Sequence, residues 1–166
     1  LLVIAVGVGL HYVLPHHAVV YITGTEVKRM DHNGLVSAKN PADGPTRDIY
    51  FVNAETPDDH TPRVFRNDDT RFGFPWYFKF DAADQQARAQ GLARDDKQLA
   101  LVSYYGWRLQ MFSMFPNLLS VSATDSAEPP FPWFATIFLV VVLGVLLYLV
   151  LLLRQWRRYR RSRRAA

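Results

Sequence analysis

A chain of 166 residues is long enough for one domain with its own core. It has no Cys, which excludes disulfides, thiol catalysis and a thiolate zinc site. The net charge of +4 does not come from a basic domain: all fifteen acids and twelve of the nineteen Lys and Arg lie between Glu26 and Glu128, leaving that stretch net negative, while the other seven are Arg within 154–164.

Residues 1–14, LLVIAVGVGLHYVL, are apolar and uncharged. We assign 1–22 to a first transmembrane helix and its exit. The span either starts before Leu1 or runs to Ile22 through Pro15. A cleaved signal peptide is the rival reading, disfavoured because no small-x-small site precedes a polar start. His11, His16, His17 and His32 gather around this exit, and His60 lies alone in a later loop. Imidazoles are common metal ligands. No HExxH or comparable pair appears, so we expect neither a metal nor a cofactor.

Residues 23–130 are predicted to form the folded domain. AVVYITGTEVKRM (18–30) alternates and is rich in β-formers, so it reads as a strand. Residues 31–47 carry Asn-Gly, Asn-Pro and Asp-Gly turn signals. DIYFVNAE (48–55) is a second strand, TPDDHTP a loop, and RVFRN a short strand. FPWYFKF reads as a strand with aromatics on both sides and its rings in the core. Asp81 is placed as the N-cap of a helix over AADQQARAQ, which Gly91 ends. KQLALVSYYGWRLQMFSMFPNLLSVSA (97–123) is β-rich and is broken at Gly106 and at Pro116-Asn117.

WFATIFLVVVLGVLLYLVLLL (133–153) holds no charge over a length that matches the ~20 residues a bilayer core requires. We assign 131–153 to a second transmembrane helix, with Trp133, Phe134, Trp156 and Tyr159 as interfacial aromatics. A buried soluble helix is the alternative. Arg154, Arg157, Arg158, Arg160 and Arg161, in the tail 154–166, stay on the cytoplasmic side and meet anionic lipid of that leaflet. Their placement beside a span explains them without nucleic acid. Both termini are then cytoplasmic and the domain between them lies outside. The fold class expected is membrane-anchored α+β: two transmembrane helices flanking a small antiparallel, barrel-like β domain with one short helix.

Arg63, Arg66, Asp68, Asp69 and Arg71 are expected to form a local Arg–carboxylate network that fixes a loop. The competing reading is catalysis by paired carboxylates. No nucleophile elbow, P-loop or dinucleotide fingerprint occurs.

VKRMD (27–31), PRVFRNDDTRFGFPWYFKFDAADQQARAQ (62–90) and YYGWRLQMFSMFPNLLSV (104–121) resemble a family of small bacterial membrane proteins, mainly proteobacterial, described only as a domain of unknown function. The resemblance covers most of 1–155 and implies a periplasmic placement for the domain. It implies no activity and no catalytic residues. The function expected is a non-enzymatic inner-membrane protein, an accessory or scaffold subunit whose periplasmic domain docks on other integral membrane proteins. Trp76, Tyr77, Trp107, Phe112 and Phe115 are the candidate partner contacts. The alternatives are a periplasmic enzyme or ligand receptor built on the Arg/Asp cluster, and a homo-oligomeric assembly.

Overall fold

The structure, a computed structural model, describes residues 2–31, 34–39, 41–95 and 97–164. Pro15 sets the first boundary. It has no N–H to donate, and its ring blocks a continuing helix. Helix α1 (Leu2–Val13) therefore stops short of it, and strand β1 (His16–Asp31) begins just beyond. Of the two courses considered, the helical run to Ile22 is excluded: Val19, Val20, Tyr21 and Ile22 are β-branched or aromatic and lie in the strand read over 18–30. The chain continues through β2 (Gly34–Leu35), β3 (Arg47–Glu55), β4 (Pro62–Asn67), α2 (Ala82–Leu92), β5 (Leu99–Tyr105), a 3-10 turn (Gln110–Phe112), β6 (Asn117–Ala123) and α3 (Trp133–Arg164). Two compact units result, one ending at Pro130 and one starting at Phe131.

The strands follow the order β2-β1-β3-β4-β6-β5, and β1 also pairs with β5. One strand serves two neighbours because β1 is 16 residues long and interrupted. His16–Tyr21 pairs with β5, Tyr21–Met30 pairs with β3, and the register shifts between Ile22 and Gly24. Such an irregularity lets a strand bend from one partner to the next. β4 and β6 meet in a single parallel bridge, Arg66 opposite Asn117. The sheet is therefore curled but not a closed barrel, and it is mixed rather than wholly antiparallel. Its seam stays short because the chain leaves β4 at Asn67 for the loop that precedes α2.

Alternation along each strand sends one set of side chains inward. Val20, Val52, Phe65, Val102, Leu118 and Val121 are each no more than 1% exposed. Ala89 of α2 closes the same cluster. Gln85 of α2, also buried, accepts from the Val121 N–H at 2.9 Å, so the helix is stitched to β6 by a polar contact as well.

In the second unit, Trp133–Trp156 of α3 is long and apolar enough to cross a membrane. It is the one such helix among the described residues. α1, at 12 residues, falls short of the ~20 that a full span needs, so the expectation of two transmembrane helices reduces to one candidate span. Arg154 is exposed, and the positions of Arg157, Arg158, Arg160 and Arg161 continue the same helix.

Candidate functional site

Residues 68–81 form the loop between β4 and α2, so the expected FPWYFKF strand is not formed. Its base is a buried polar knot. Asn67, fully buried at the end of β4, donates to the Ala82 carbonyl at 2.8 Å and to Gln86 at 3.1 Å. The Lys79 ammonium, on a residue only 6% exposed, donates to Asn67 Oδ1 and to the Leu118 carbonyl at 2.6 Å. Burial lowers its pKa to about 8, against the opposing pull of Asp81, Asp69 and Asp68. Asn117 receives the Asp68 N–H and returns a bond to the Asp68 carbonyl, which ties the loop to the first residue of β6.

The expected charge network is only partly present. Arg66 grips one Asp68 oxygen, with Nε at 2.6 Å. Asp69 does something else: its Oδ1 accepts from the Ala82 N–H at 2.9 Å, the first residue of α2. Asp81 stands at the N-cap position but makes no capping bond, taking the Gln85 amide at 2.7 Å instead. The cap is thus supplied from twelve residues upstream of the expected one, and Gly91 lies inside the last turn rather than after it. Arg71 and Arg63 make no ion pair among the described residues. Asp69→Ala is expected to cost about 0.5–2 kcal/mol, as a lost N-cap does, and Asp69→Asn much less. Denaturant unfolding of the purified chain measures both.

Above the knot the loop forms an aromatic tongue. Pro75 and Lys79 are buried and Tyr77 half-buried, while Phe72, Phe74, Trp76, Phe78 and Phe80 point outward, 78%, 66%, 67%, 56% and 56% exposed. The core position expected for these rings is corrected. Lys79 alternates with them, and the side of the segment that holds an ammonium against Asn67 is the side turned inward. The sequence carried this signal: F-x-F-x-W-x-F-x-F with a Lys at an intervening position.

The tongue and a second loop both clasp the end of α1. The last carbonyls of a helix lack intrahelical donors and need others. The His11 carbonyl accepts from His16 Nε2 at 2.8 Å, Tyr12 from the Gly106 N–H at 2.9 Å, and Val13 from the Tyr77 hydroxyl at 2.5 Å. Tyr77 also stacks on Tyr105, with centroids 5.2 Å apart. Its pKa is pushed up to about 12 by burial and by Tyr105. Trp107 donates its indole N–H to His11 Nδ1 at 2.9 Å and meets Tyr12 edge-on. Phe115 packs against Phe51 and beneath the Arg108 guanidinium. Of the five expected partner contacts, Tyr77, Trp107 and Phe115 are thus engaged within the domain. Trp76 and Phe112 face outward, and Met111 beside Phe112 is 88% exposed.

Two concavities adjoin this region. One, of 290 Å³, holds Arg66, Asp68, Asp69 and Thr70. Its acids are already paired or capping. The other, of 640 Å³, is lined by His11, His16, Arg63, Arg108 and Trp107 and contains no acid. His17 bonds Ser103 at 2.8 Å, and His60 lies 3.3 Å from Glu55. His32 lies outside the described residues. No group of three metal-ligating side chains occurs among the described residues.

An α+β domain preceded by an apolar helix and followed by a helix able to cross a membrane defines the class: a protein with a candidate membrane anchor. The chain belongs to the family described as "Protein of unknown function (DUF1523)", whose family model matches residues 1–159. It is similar to an "Uncharacterized protein" of Haemophilus influenzae (strain ATCC 51907 / DSM 11121 / KW20 / Rd), 46% identical over 137 residues that cover 80% of this chain and 78% of that protein. No solved structure matches it.

Proposed function

We propose that this is a non-enzymatic inner-membrane protein that holds a rigid periplasmic domain against the bilayer as an accessory or scaffold subunit of a larger membrane complex. In this reading α1 is embedded in the membrane as a first anchor and α3 is a second. The Arg run keeps both termini cytoplasmic and rests on anionic lipid. The observation that carries the reading is the capped end of α1. Donors from Gly106 and Tyr77 make the helix an extension of the domain rather than a leash. A domain so held suits docking on a neighbour in the same membrane better than capture of a distant substrate. Mild-detergent purification after in vivo crosslinking at exposed domain positions outside the 71–80 and 107–115 loops tests this, and adducts to other membrane proteins are expected. A lone monomer without adducts would sink it, and adducts only to a second copy would transfer the reading to a homo-oligomer.

The strand pattern itself has a finer interpretation. A long first strand shared by two neighbours, a helix between β4 and β5, and a parallel β4–β6 seam together resemble the strand arrangement of the oligonucleotide/oligosaccharide-binding fold. Fold alone does not assign a ligand. The basic cleft nevertheless favours a second reading, an anion receptor. It is built from the start of β4 and the β5–β6 loop, where this architecture places binding surfaces. Phosphate would then raise the melting temperature of the parent protein and not of Arg63→Ala, as binding to the native state requires. No shift in the parent ends that reading.

A further inference from the structure

We infer that the 71–80 tongue and the 107–115 loop insert their outward side chains into the interfacial layer of the lipid bilayer, beside the point where α1 leaves it. The inference rests on α1 being membrane-embedded and adds a second, side-on attachment that the helices alone do not require.

The patch is too large and too regular to be stray surface. Isolated exposed apolar residues are normal, whereas contiguous apolar patches mark an interaction face. Five rings stand at alternate positions of one loop, and each touches another: Phe72 lies 5.3 Å from Phe80 and 6.1 Å from Phe78, centroid to centroid. Phe74 meets Trp76 at 5.3 Å. Across the α1 end, Leu109, Met111 and Phe112 supply a second apolar group, 37%, 88% and 69% exposed.

The rings are held outward by construction. Arg71 and Phe78 both adopt left-handed backbone, with φ of 50° and 51°. That conformation is unfavourable for a bulky residue and persists only where surrounding bonds impose it. Here the Arg71 N–H donates to the Lys79 carbonyl at 3.0 Å, and the Lys79 N–H donates to Thr70 Oγ1 at 3.1 Å. The buried ammonium of Lys79 holds the segment from beneath. The second loop is pinned by the Leu109–Met114 bridge and by Arg108 lying over Phe115.

Three features select lipid as the occupant. Both loops bond to the same end of α1, and α1 itself exposes Ile4, Val6 and Val8. Neither 71–80 nor 107–115 contains an acid, and each contains a base, so neither loop sets a carboxylate against lipid phosphates. Trp with Phe and Leu on one side and basic residues among them is the composition of segments that lie in the interface plane.

The absence of Cys makes single-Cys labelling clean. Full chains carrying Val6→Cys, Trp76→Cys, Met111→Cys or Gln90→Cys, each labelled with a polarity-sensitive fluorophore, are reconstituted into phosphatidylethanolamine–phosphatidylglycerol vesicles. Quenching by lipid-borne nitroxides is compared with quenching by aqueous iodide. The expected result is lipid quenching at Val6, Trp76 and Met111 several-fold above that at Gln90, an exposed position on α2. Lipid quenching at Val6 with Trp76 and Met111 as open to iodide as Gln90 overturns the inference and leaves the anchor reading standing. Iodide access at Val6 instead overturns the anchor reading. Shielding of Trp76 and Met111 from both quenchers assigns the patch to protein, a second copy in these vesicles, and overturns lipid insertion.

Discussion

Asn67→Ala is expected to lower the unfolding free energy of the domain by about 3–5 kcal/mol. The side chain is fully buried and makes three bonds, two to α2, at its first residue and at Gln86 further along, and one to the Lys79 ammonium of the preceding loop. Removing it strips the ammonium of one of two partners and leaves the Ala82 carbonyl without a side-chain donor. A hydrogen bond to a charged group contributes about 1.5–3 kcal/mol, and each buried group left unpaired costs about 1–3 kcal/mol. Replacing both members of the knot should hurt less than the sum of the two changes. In Asn67→Leu with Lys79→Met there is no ammonium to strand, and an apolar exchange of similar volume tends to be tolerated. Denaturant curves for the parent, both single variants and the double variant measure the coupling. Additive losses would show that Asn67 and Lys79 do not act as one unit.

The second large effect is a rise in stability with pH above neutrality. Lys79 falls from 10.5 to about 8 on folding, through burial. Below pH 8 the amine is protonated in both states, and the native state carries the full cost of a buried ammonium. Between pH 8 and about 10.5 the unfolded chain keeps its proton while the native chain releases it, so stability increases. The gain approaches about 3 kcal/mol, at 1.36 kcal/mol for each pKa unit. Tyr77 acts in the opposite sense above pH 10. It stays neutral in the fold up to about 12 while the unfolded phenol ionises, so stability falls again. Tyr105, also raised by burial, adds to that fall. Stability from these groups therefore peaks near pH 10. Melting curves from pH 7 to 10 test this directly. Lys79→Met should abolish the rise, and a rise that survives in Lys79→Met would assign it to other groups.

The sequence was most legible where periodicity and punctuation agree. β1, β3, β4, β5 and β6 lie where alternation and β-branched residues put them, and the breaks at Gly106 and Pro116 are real. Gly106 sits at φ 87°, a conformation that other residues rarely adopt. Three kinds of feature escaped. Long-range capping did: nothing local marks Asp69 rather than Asp81 as the residue that bonds the start of α2. The use of the aromatic segment did as well, because alternating rings satisfy a strand pattern equally whether they face a core or lie free. What distinguished them was one Lys on the inward side, with a partner in β4 that only the folded chain brings near. The end of the first helix did too, because apolarity continues past Pro15 into a strand. Of the candidate contacts, Trp76 and Phe112 are where an interaction surface needs them. Tyr77 and Trp107 turned out to be the fasteners that position that surface.

The capped end of α1 also bears on the order in which the chain can fold. Its final carbonyl waits for a hydroxyl 64 residues further on, and the carbonyl before it waits for Gly106. Contacts of such sequence separation form late, after the loop-closure entropy between their partners has been met. During synthesis the helix precedes the sheet, and its Tyr12 and Val13 carbonyls lack their native donors until Tyr77 and Gly106 are in place. A chain truncated before Gly106 would keep α1 but not its orientation. Completion of the domain is thus the event that fixes the angle at which the helix meets it.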